Sequence, residues 1–221
     1  MAGDLPTLRN GFLNVLSMIA LLVLPAGAGI TVTADLLVPV VLGPNWSDAV
    51  ILIQLLALYG VCIAVQTNTG IMFVALGKPE ILTALAGGYL VVLFPSMVWL
   101  TLQHGALGAA LAVAGSALLF LPINYYVLLS RIELRISSVL AVFWRPASAT
   151  AFMVCIVKVI EWQLTNAGEP LAPLLQLLLL IAAGAFSYSV ILFSLWWLVN
   201  RPAGAEKFIW DQAMRRLKVL G

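Results

Sequence analysis

The densest run of polar side chains inside an apolar stretch of this sequence is QTNTG, at Gln66–Gly70. Polar side chains in such a setting either line the path of a polar cargo or hydrogen-bond to a neighbouring helix. On a helix Gln66 and Asn68 point about 200° apart, which predicts that one faces a cavity and the other bonds to a neighbouring helix. Gln66, Thr67 and Asn68 are therefore candidates for lining a transport cavity, and interhelical bonding is the equal alternative.

Two charged residues, Asp35 and Lys158, also lie within apolar stretches. A charge near the centre of a bilayer costs roughly 2.5–3.5 kcal/mol, so such residues are candidates for function by default. Asp35 and Lys158 are thus further transport-cavity candidates, and an ion pair between them would offset the cost if their helices are adjacent. The alternative for Lys158 is an i,i+3 pair with Glu161, with both side chains reaching the outer surface.

The motifs of soluble enzymes are absent from the sequence. It has a single histidine, His104, and no GxSxG, P-loop or HExxH motif. Cys62 and Cys155 both fall in apolar runs and form no CxxC pair, so each is expected to pack as a small hydrophobe. We therefore predict a protein that is not an enzyme, with no catalytic residue, no cofactor and no metal site.

Composition indicates an integral membrane protein. Of the 221 residues, 63% are hydrophobic and 9% are charged, whereas soluble domains carry about 25% charged residues. A spanning helix needs about 20 mostly apolar residues, so the apolar runs predict an all-α, polytopic membrane protein whose six transmembrane helices form one lobe. The predicted spans are Gly11–Leu42, Ser47–Leu76, Ile81–Leu102, Ala106–Leu129, Ser138–Leu164 and Leu171–Val199. The first run is too long for the apolar region of a signal peptide, about 7–15 residues, which disfavours cleavage.

Basic residues are strongly segregated under this six-span arrangement. Both termini and two connectors lie on one side, which collects ten of the eleven basic residues: Arg9, Lys78, Arg131, Arg135, Arg145, Arg201, Lys207, Arg215, Arg216 and Lys218. The opposite connectors contain no Lys or Arg, and their ionisable residues are Asp48, His104 and Glu169. Because cytoplasmic loops are enriched in Lys and Arg, we predict that both termini are cytoplasmic.

Two domains are predicted, a transmembrane lobe at 1–200 and a cytoplasmic amphipathic tail at 201–221. In the tail, Ile209, Ala213, Leu217 and Leu220 fall on one helical stripe. Such a helix suits the anionic inner leaflet of a membrane. A solvated amphipathic end with no role at the membrane is the alternative.

The first span contains the sequence LPAGAGI, in which Pro25 is followed by Gly27 and Gly29. Proline removes one backbone hydrogen bond from a helix, and glycine lowers its stiffness. Pro25, Gly27 and Gly29 are therefore hinge candidates, with simple packing as the alternative.

Two connectors carry a family resemblance. They are LGPNW at Leu42–Trp46, in which Gly43 and Pro44 end a helix and Trp46 suits the membrane interface, and ALGKPE at Ala75–Glu80. With the proline-containing first span and the polar second span, they resemble the C-terminal lobe of bacterial lipopolysaccharide and exopolysaccharide flippases, members of the oligosaccharide/polysaccharide exporter superfamily. The specific part of this resemblance runs from about Pro25 to Leu82.

The resemblance implies a function and a set of partners. Family members move an undecaprenyl-diphosphate-linked oligosaccharide across the bacterial inner membrane by alternating access, and they have about twelve or more spans in two lobes. A six-span chain is then half a transporter, whose partners are membrane lipid, the lipid-linked oligosaccharide, and an N-terminal six-span lobe or a second copy, with no nucleic acid.

Two other function classes remain open. One is a non-transporting scaffold or pseudo-transporter within a polysaccharide synthesis complex. The other is a membrane glycosyltransferase or polymerase, which the lack of a sizeable outer loop and of an acidic pair disfavours.

Overall fold

Five long helices and one 3-10 turn make up the part of the chain that the computed structural model describes, residues 5–166 and 172–198. The helices are α1 (Leu5–Val41), α2 (Ala49–Ala75), α3 (Pro79–Ile132), α4 (Ile136–Asn166) and α5 (Pro173–Leu198), with the turn at Pro44–Trp46 between α1 and α2. The all-α prediction is confirmed for these residues. All five helices are long and apolar enough to cross a membrane, so the chain has the elements of a multi-pass membrane protein.

The third and fourth predicted spans are both contained in α3, which is folded back on itself. Gly105 has non-helical backbone angles, φ 59° and ψ −135°, a conformation open to glycine because it has no Cβ. The rings of Tyr89 and Phe120 lie 5.5 Å apart, whereas 31 residues of straight helix would separate them by about 46 Å. The two arms of α3, 79–104 and 106–132, therefore run antiparallel.

The bend of α3 is tight. A Cβ added to Gly108 would overlap the backbone oxygen of Leu100, so the two arms touch through backbone at this level. Within the described residues, three glycines take a positive φ in the connections: Gly43 (96°), Gly77 (68°) and Gly105 (59°). Gly43 and Gly77 are the glycines of the two family-like connectors, and they end α1 and α2 as the sequence predicts.

The central helix of the described lobe is α1. It packs against α2, α4 and α5, while α2 packs against α3 and α4 packs against α5. One buried cluster joins the beginning of α1 to α2, α3 and α4, and includes Phe12, Leu16, Phe73 and Leu128. A second cluster, including Met153 and Leu180, joins α1 to α4 and α5.

A side-chain contact brings the beginning of α1 to the end of α3. Arg9 donates hydrogen bonds to the backbone oxygen of Ile132 and to the Glu133 carboxylate, with 3.2 Å to the latter. The ends that the sequence places on the basic side thus meet in space. The amphipathic tail at 201–221 and both chain ends lie outside the described residues, so their cytoplasmic placement stays a prediction.

Arg145 lies inside the fifth predicted span, although the six-span arrangement also counts it among the basic residues of the cytoplasmic side. It lies in the tenth position of α4 and is only 8% exposed. The apolar residues around it extend the helix to Ile136 because they pack against the first cluster, with Val139 buried in it. Arg145 is therefore a buried helical residue rather than part of an exposed loop.

Candidate functional site

Gln66 links α2 to the second arm of α3. Its Nε2 donates to the backbone oxygen of Ala117 at 2.9 Å, and its Oε1 accepts from Asn124 Nδ2 at 3.3 Å. Asn124 also donates to the backbone oxygen of Phe120 at 2.8 Å. Both ends of the Gln66 amide are thus occupied by interhelical bonds.

A cavity of about 330 Å³ lies beside this amide, between α2 and both arms of α3. Its polar lining comes from Gln66, Thr67, Thr69, Tyr89 and Asn124. Thr67 is exposed, and its hydroxyl donates to Ile63 O in the preceding turn at 2.9 Å. Gln66 and Thr67 therefore line a cavity, and Gln66 bonds to a neighbouring helix as well.

Asn68 is 3% exposed, and its side chain lies against α1. Its Nδ2 donates to the backbone oxygen of Phe12 at 3.1 Å. Gln66 and Asn68 point in opposite directions, as helical geometry predicts, but both side chains bond to a neighbouring helix: Gln66 to α3 and Asn68 to α1. Asn68 is not among the residues that line the 330 Å³ cavity.

Asp35 and Lys158 are not brought together as an ion pair, although α1 and α4 are adjacent. The ammonium of Lys158 contacts the Glu161 carboxylate at 2.9 Å, the i,i+3 pair given as the alternative. Asp35 is exposed on α1. Within the described residues, no group of three or more His, Cys, Asp or Glu side chains could hold a metal ion.

The hinge candidates lie in a helix that is continuous from Leu5 to Val41. Pro25 has no N–H to donate to the carbonyl of Leu21, four residues earlier. That carbonyl accepts instead from the hydroxyl of Tyr188 on α5, at 2.7 Å. The neighbouring helix therefore satisfies the group that Pro25 leaves open, in the way that membrane helices tolerate proline.

Gly27 and Gly29 have different surroundings. A Cβ added to Gly27 would overlap Cγ2 of Val61, whereas nothing lies within 4 Å of a Cβ at Gly29. Gly27 thus allows α1 and α2 to approach closely, which is a packing role. Bending at Pro25, Gly27 and Gly29 stays a prediction.

A larger recess, of about 660 Å³, lies between α1, α2 and α4. Its polar residues are Thr31, Gln54 and Thr150, none of which is among the five transport-cavity candidates named from the sequence. Gln54 Nε2 donates to the backbone oxygen of Thr31 at 3.2 Å. The Thr150 hydroxyl is buried and has no hydrogen-bond partner in the described part of the chain. An apolar groove of about 620 Å³ lies on the other side of the α1–α4 contact, bounded by α5.

The sequence gives only a weak signal for this recess. Thr150 belongs to the run PASATAF, where small and hydroxyl residues are also expected at ordinary helix contacts. Gln54 is an isolated amide near the beginning of α2. Their common location depends on α2 and α4 lying on the same side of α1, which the pattern of one helix does not specify.

Comparison with known proteins finds similarities for parts of the chain. Residues 1–51 match the polysaccharide biosynthesis protein family. The chain is also a distant relative of the teichuronic acid biosynthesis protein TuaB of Bacillus subtilis (strain 168), with 26% identity over 189 residues. This similarity covers 84% of the chain and 38% of TuaB, so the chain spans well under half the length of this relative. No solved structure matches the chain.

Proposed function

We propose that the chain is one lobe of a polysaccharide biosynthesis transporter in the bacterial inner membrane, which flips undecaprenyl-diphosphate-linked oligosaccharide by alternating access. The family match and the similarity to a teichuronic acid biosynthesis protein support the link to cell-surface polysaccharide. The multi-pass helical architecture supports transport rather than chemistry in a soluble site.

The observation that carries this proposal is the 660 Å³ recess between α1, α2 and α4. Hydrocarbon cannot solvate a sugar headgroup, so a route across the membrane needs polar walls. The lining of the recess includes the polar residues Thr31, Gln54 and Thr150. We assign the recess to one wall of the route, with the facing wall supplied by a partner.

A six-span arrangement with both termini cytoplasmic is part of the proposal. If α3 crossed the membrane once as a straight rod, its 54 residues would extend about 81 Å, far more than the roughly 30 Å of a hydrocarbon core. The antiparallel arms of α3 support two crossings instead. The meeting of Arg9 with Glu133 supports a common side for the beginning of α1 and the end of α3.

The polar side chains favour a shared route over one enclosed by this chain alone. Gln66 and Asn68 are already engaged in interhelical bonds, which leaves fewer uncommitted groups than the sequence indicates. The partner is either an N-terminal six-span lobe or a second copy of the chain, because transporters built from repeats place the substrate site between them.

The interhelical bonds of Gln66 and Asn68 also support a second candidate function, a non-transporting scaffold of a polysaccharide synthesis complex. If Gln66 and Asn68 serve only to join helices, these polar residues are not evidence for a transport route or for movement of the lobe against a partner. The two candidates differ in whether the chain supports flipping.

Reconstitution into lipid vesicles tests both. The chain alone is expected to insert and fold but not to flip a fluorescent undecaprenyl-diphosphate-linked sugar, measured by access of a membrane-impermeant quencher. Together with an N-terminal six-span lobe, or as a cross-linked dimer, it is expected to flip the probe. Flipping by a strictly monomeric chain would contradict the shared route, and no flipping with either partner would favour the scaffold.

A further inference from the structure

We propose that the recess between α1, α2 and α4 binds a phospholipid with a zwitterionic, primary-amine headgroup, of the phosphatidylethanolamine class. An acyl chain fills the apolar part of the recess, and Asp35 and Lys158 hold the headgroup at its outer end. This inference goes beyond the proposed function and does not rest on it, because it concerns what fills the recess in a bilayer when cargo and partner are absent.

Asp35 continues the α1 wall of the recess toward its outer end. It comes four, seven and eleven residues after three residues that line the recess: Thr31, Ala28 and Leu24. These spacings keep all four side chains on one face of a helix. The exposed carboxylate of Asp35 therefore lies one turn beyond the recess, on the same face.

Lys158 has the matching position on α4. It too comes four, seven and eleven residues after three lining residues: Val154, Ala151 and Ala147. Successive helices and arms alternate in direction, so α1 and α4 run the same way, and they pack against each other. Equal spacings on two such helices place Asp35 and Lys158 at the same level, on two walls of one recess.

This level corresponds to the outer headgroups under the six-span arrangement. Arg9 meets Glu133 at the inner end of the lobe, and Asp35 lies 26 residues after Arg9 on the same helix, which is about 39 Å of helix. The hydrocarbon core is about 30 Å thick, and about 40–45 Å with the headgroup regions. A headgroup of the outer leaflet can therefore reach both Asp35 and Lys158.

Both charges are open to a ligand. No described residue forms an ion pair or hydrogen bond with the Asp35 side chain. The Lys158 ammonium contacts Glu161 at 2.9 Å, but half of the lysine side chain is exposed, and an ammonium has three N–H donors. A zwitterionic headgroup can thus bridge the two helices, with its ammonium on Asp35 and its phosphate on Lys158.

The lining below these charges follows the order of groups in a phospholipid. Gln54 lies at the level of Thr31, one turn below Asp35, because its Nε2 donates to the Thr31 backbone oxygen at 3.2 Å. Deeper in the recess the walls are apolar, with Leu58 and Val61 on α2 and Leu24 on α1. Charged, amide and apolar levels match the headgroup, the glycerol esters and an acyl chain.

The charges at the outer end select the headgroup. We call Asp35, Lys158 and Glu161 the rim; it has two carboxylates and one ammonium, so its net charge is negative. An anionic headgroup such as phosphatidylglycerol brings no cation to Asp35. The quaternary ammonium of phosphatidylcholine has no N–H, whereas a primary ammonium donates charge-assisted hydrogen bonds to a carboxylate. Phosphatidylethanolamine fits the rim better than either.

Photolabelling of the full chain in phosphatidylcholine nanodiscs tests the site. Three probe lipids carry the same acyl chains, with a diazirine in one of them, and differ only in the headgroup: ethanolamine, glycerol or choline. Ile51, Leu58 and Val61 report on the recess, because α2 lines the recess and not the 620 Å³ groove. Leu180 and Ile181 report on the groove, because α5 lines the groove and not the recess.

We expect the ethanolamine lipid to label the α2 positions about threefold more than the other two lipids, as two exposed charge contacts allow. The groove has no charged lining residue, so the three lipids should label the α5 positions equally. This groove is an internal control for differences in mixing and in photochemical yield.

Asp35→Asn should remove the preference for ethanolamine at the α2 positions, and Asp35→Glu should keep it. Asp35→Lys should favour the glycerol lipid instead, because the rim then carries two ammonium groups and one carboxylate. Glu80→Gln is the matched control, since it removes an exposed carboxylate at the inner connector and should leave the preference unchanged. Thermal unfolding in phosphatidylcholine should be the same for all four variants within about 0.5 kcal/mol.

Equal labelling of the α2 positions by the three lipids would overturn the inference, because the recess would then hold an acyl chain without reading a headgroup. An ethanolamine preference that persists in Asp35→Asn would overturn it as well. Absence of any lipid label at these positions would mean that protein, such as a second copy of the chain, covers the recess. None of these outcomes depends on flipping, so the reconstitution assay tests the proposed function separately.

Discussion

The hydroxyl of Tyr188 on α5 donates a 2.7 Å hydrogen bond to the backbone oxygen of Leu21 on α1. Pro25 cannot donate to this oxygen, because proline has no backbone N–H. The bond joins residues 167 positions apart in sequence. It ties the proline site of the central helix to α5, so any bending at Pro25 has to move α5 or break this bond.

A double-mutant cycle tests this relationship. Tyr188→Phe should destabilise the protein by about 0.6–1.7 kcal/mol, the range for hydrogen bonds between membrane helices. In a Pro25→Ala background the loss should nearly vanish, because the N–H of alanine serves the Leu21 oxygen within α1. Reversible unfolding in mixed micelles measures the four stabilities.

Tyr125→Phe is the matched control for this cycle. Tyr125 donates to the backbone oxygen of Val65 at 3.1 Å, and the residue four positions after Val65 is Thr69, which has its own N–H. The stability lost in Tyr125→Phe should therefore be the same in the native and Pro25→Ala backgrounds. Equal losses for Tyr188→Phe in the two backgrounds would contradict the assigned compensation.

The Gln66–Asn124 contact distinguishes a role in helix joining from a role in transport. Gln66→Leu and Asn124→Leu are each expected to lower the unfolding free energy, and the double variant to lower it by less than their sum, with a coupling of about 0.5–1.5 kcal/mol. Thr83→Val, which alters an exposed hydroxyl bonded within its own helix, should change stability by less than about 0.5 kcal/mol. Additive losses would show that Gln66 and Asn124 do not stabilise the protein through each other.

Helix limits were predictable because they depend on local chemistry. The second predicted span, Ser47–Leu76, differs from α2 by no more than two residues at either end, since Gly43 and Pro44 before it and Gly77 after it act within a few positions. The break between the predicted third and fourth spans likewise falls at Gly105, where α3 folds back.

The neighbours of each polar side chain were not predictable in the same way. The period of a helix gives the relative directions of Gln66 and Asn68, but it does not say that α3 lies in one direction and α1 in the other. Asp35 and Lys158 show the same limit, because Lys158 meets Glu161 on its own helix. The state of the Thr150 hydroxyl depends on its rotamer and surroundings, for which residue type carries no signal.

Gly27 and Gly29 are expected to respond oppositely to alanine. Gly27→Ala places a Cβ in overlap with Cγ2 of Val61, so α2 has to shift, and stability should fall by about 1–3 kcal/mol. Gly29→Ala meets no atom within 4 Å and should stabilise by about 0.5–1 kcal/mol, because alanine loses less backbone entropy in a helix. Thermal unfolding measures both.

Val61→Ala provides the test of the cause. It removes the methyl groups that a new Cβ at residue 27 would meet, so it should recover most of the stability lost in Gly27→Ala. A loss that persists in the double variant would show that the close approach of α1 and α2 is not what requires glycine there.

The fold-back of α3 can be tested by cysteine accessibility in whole cells, after replacement of Cys62 and Cys155 by alanine. New cysteines at Ser47 and Gln103 should react with a membrane-impermeant maleimide, and those at Glu80 and Ser130 should react only after the cells are opened. All four native side chains are exposed on the protein, so burial within the protein does not explain a lack of reaction.

Ser130 distinguishes the two topologies, because they place it on opposite sides of the membrane. In two crossings joined at Gly105, Gln103 lies at the outer bend and Ser130 near the inner end of the second arm. In a single crossing that begins at Pro79 on the inner side, Gln103 falls about 36 Å along the helix and Ser130 about 77 Å along it, beyond the far surface. Labelling of Ser130→Cys in intact cells would therefore reject the six-span arrangement and with it the common cytoplasmic side of Arg9 and Glu133.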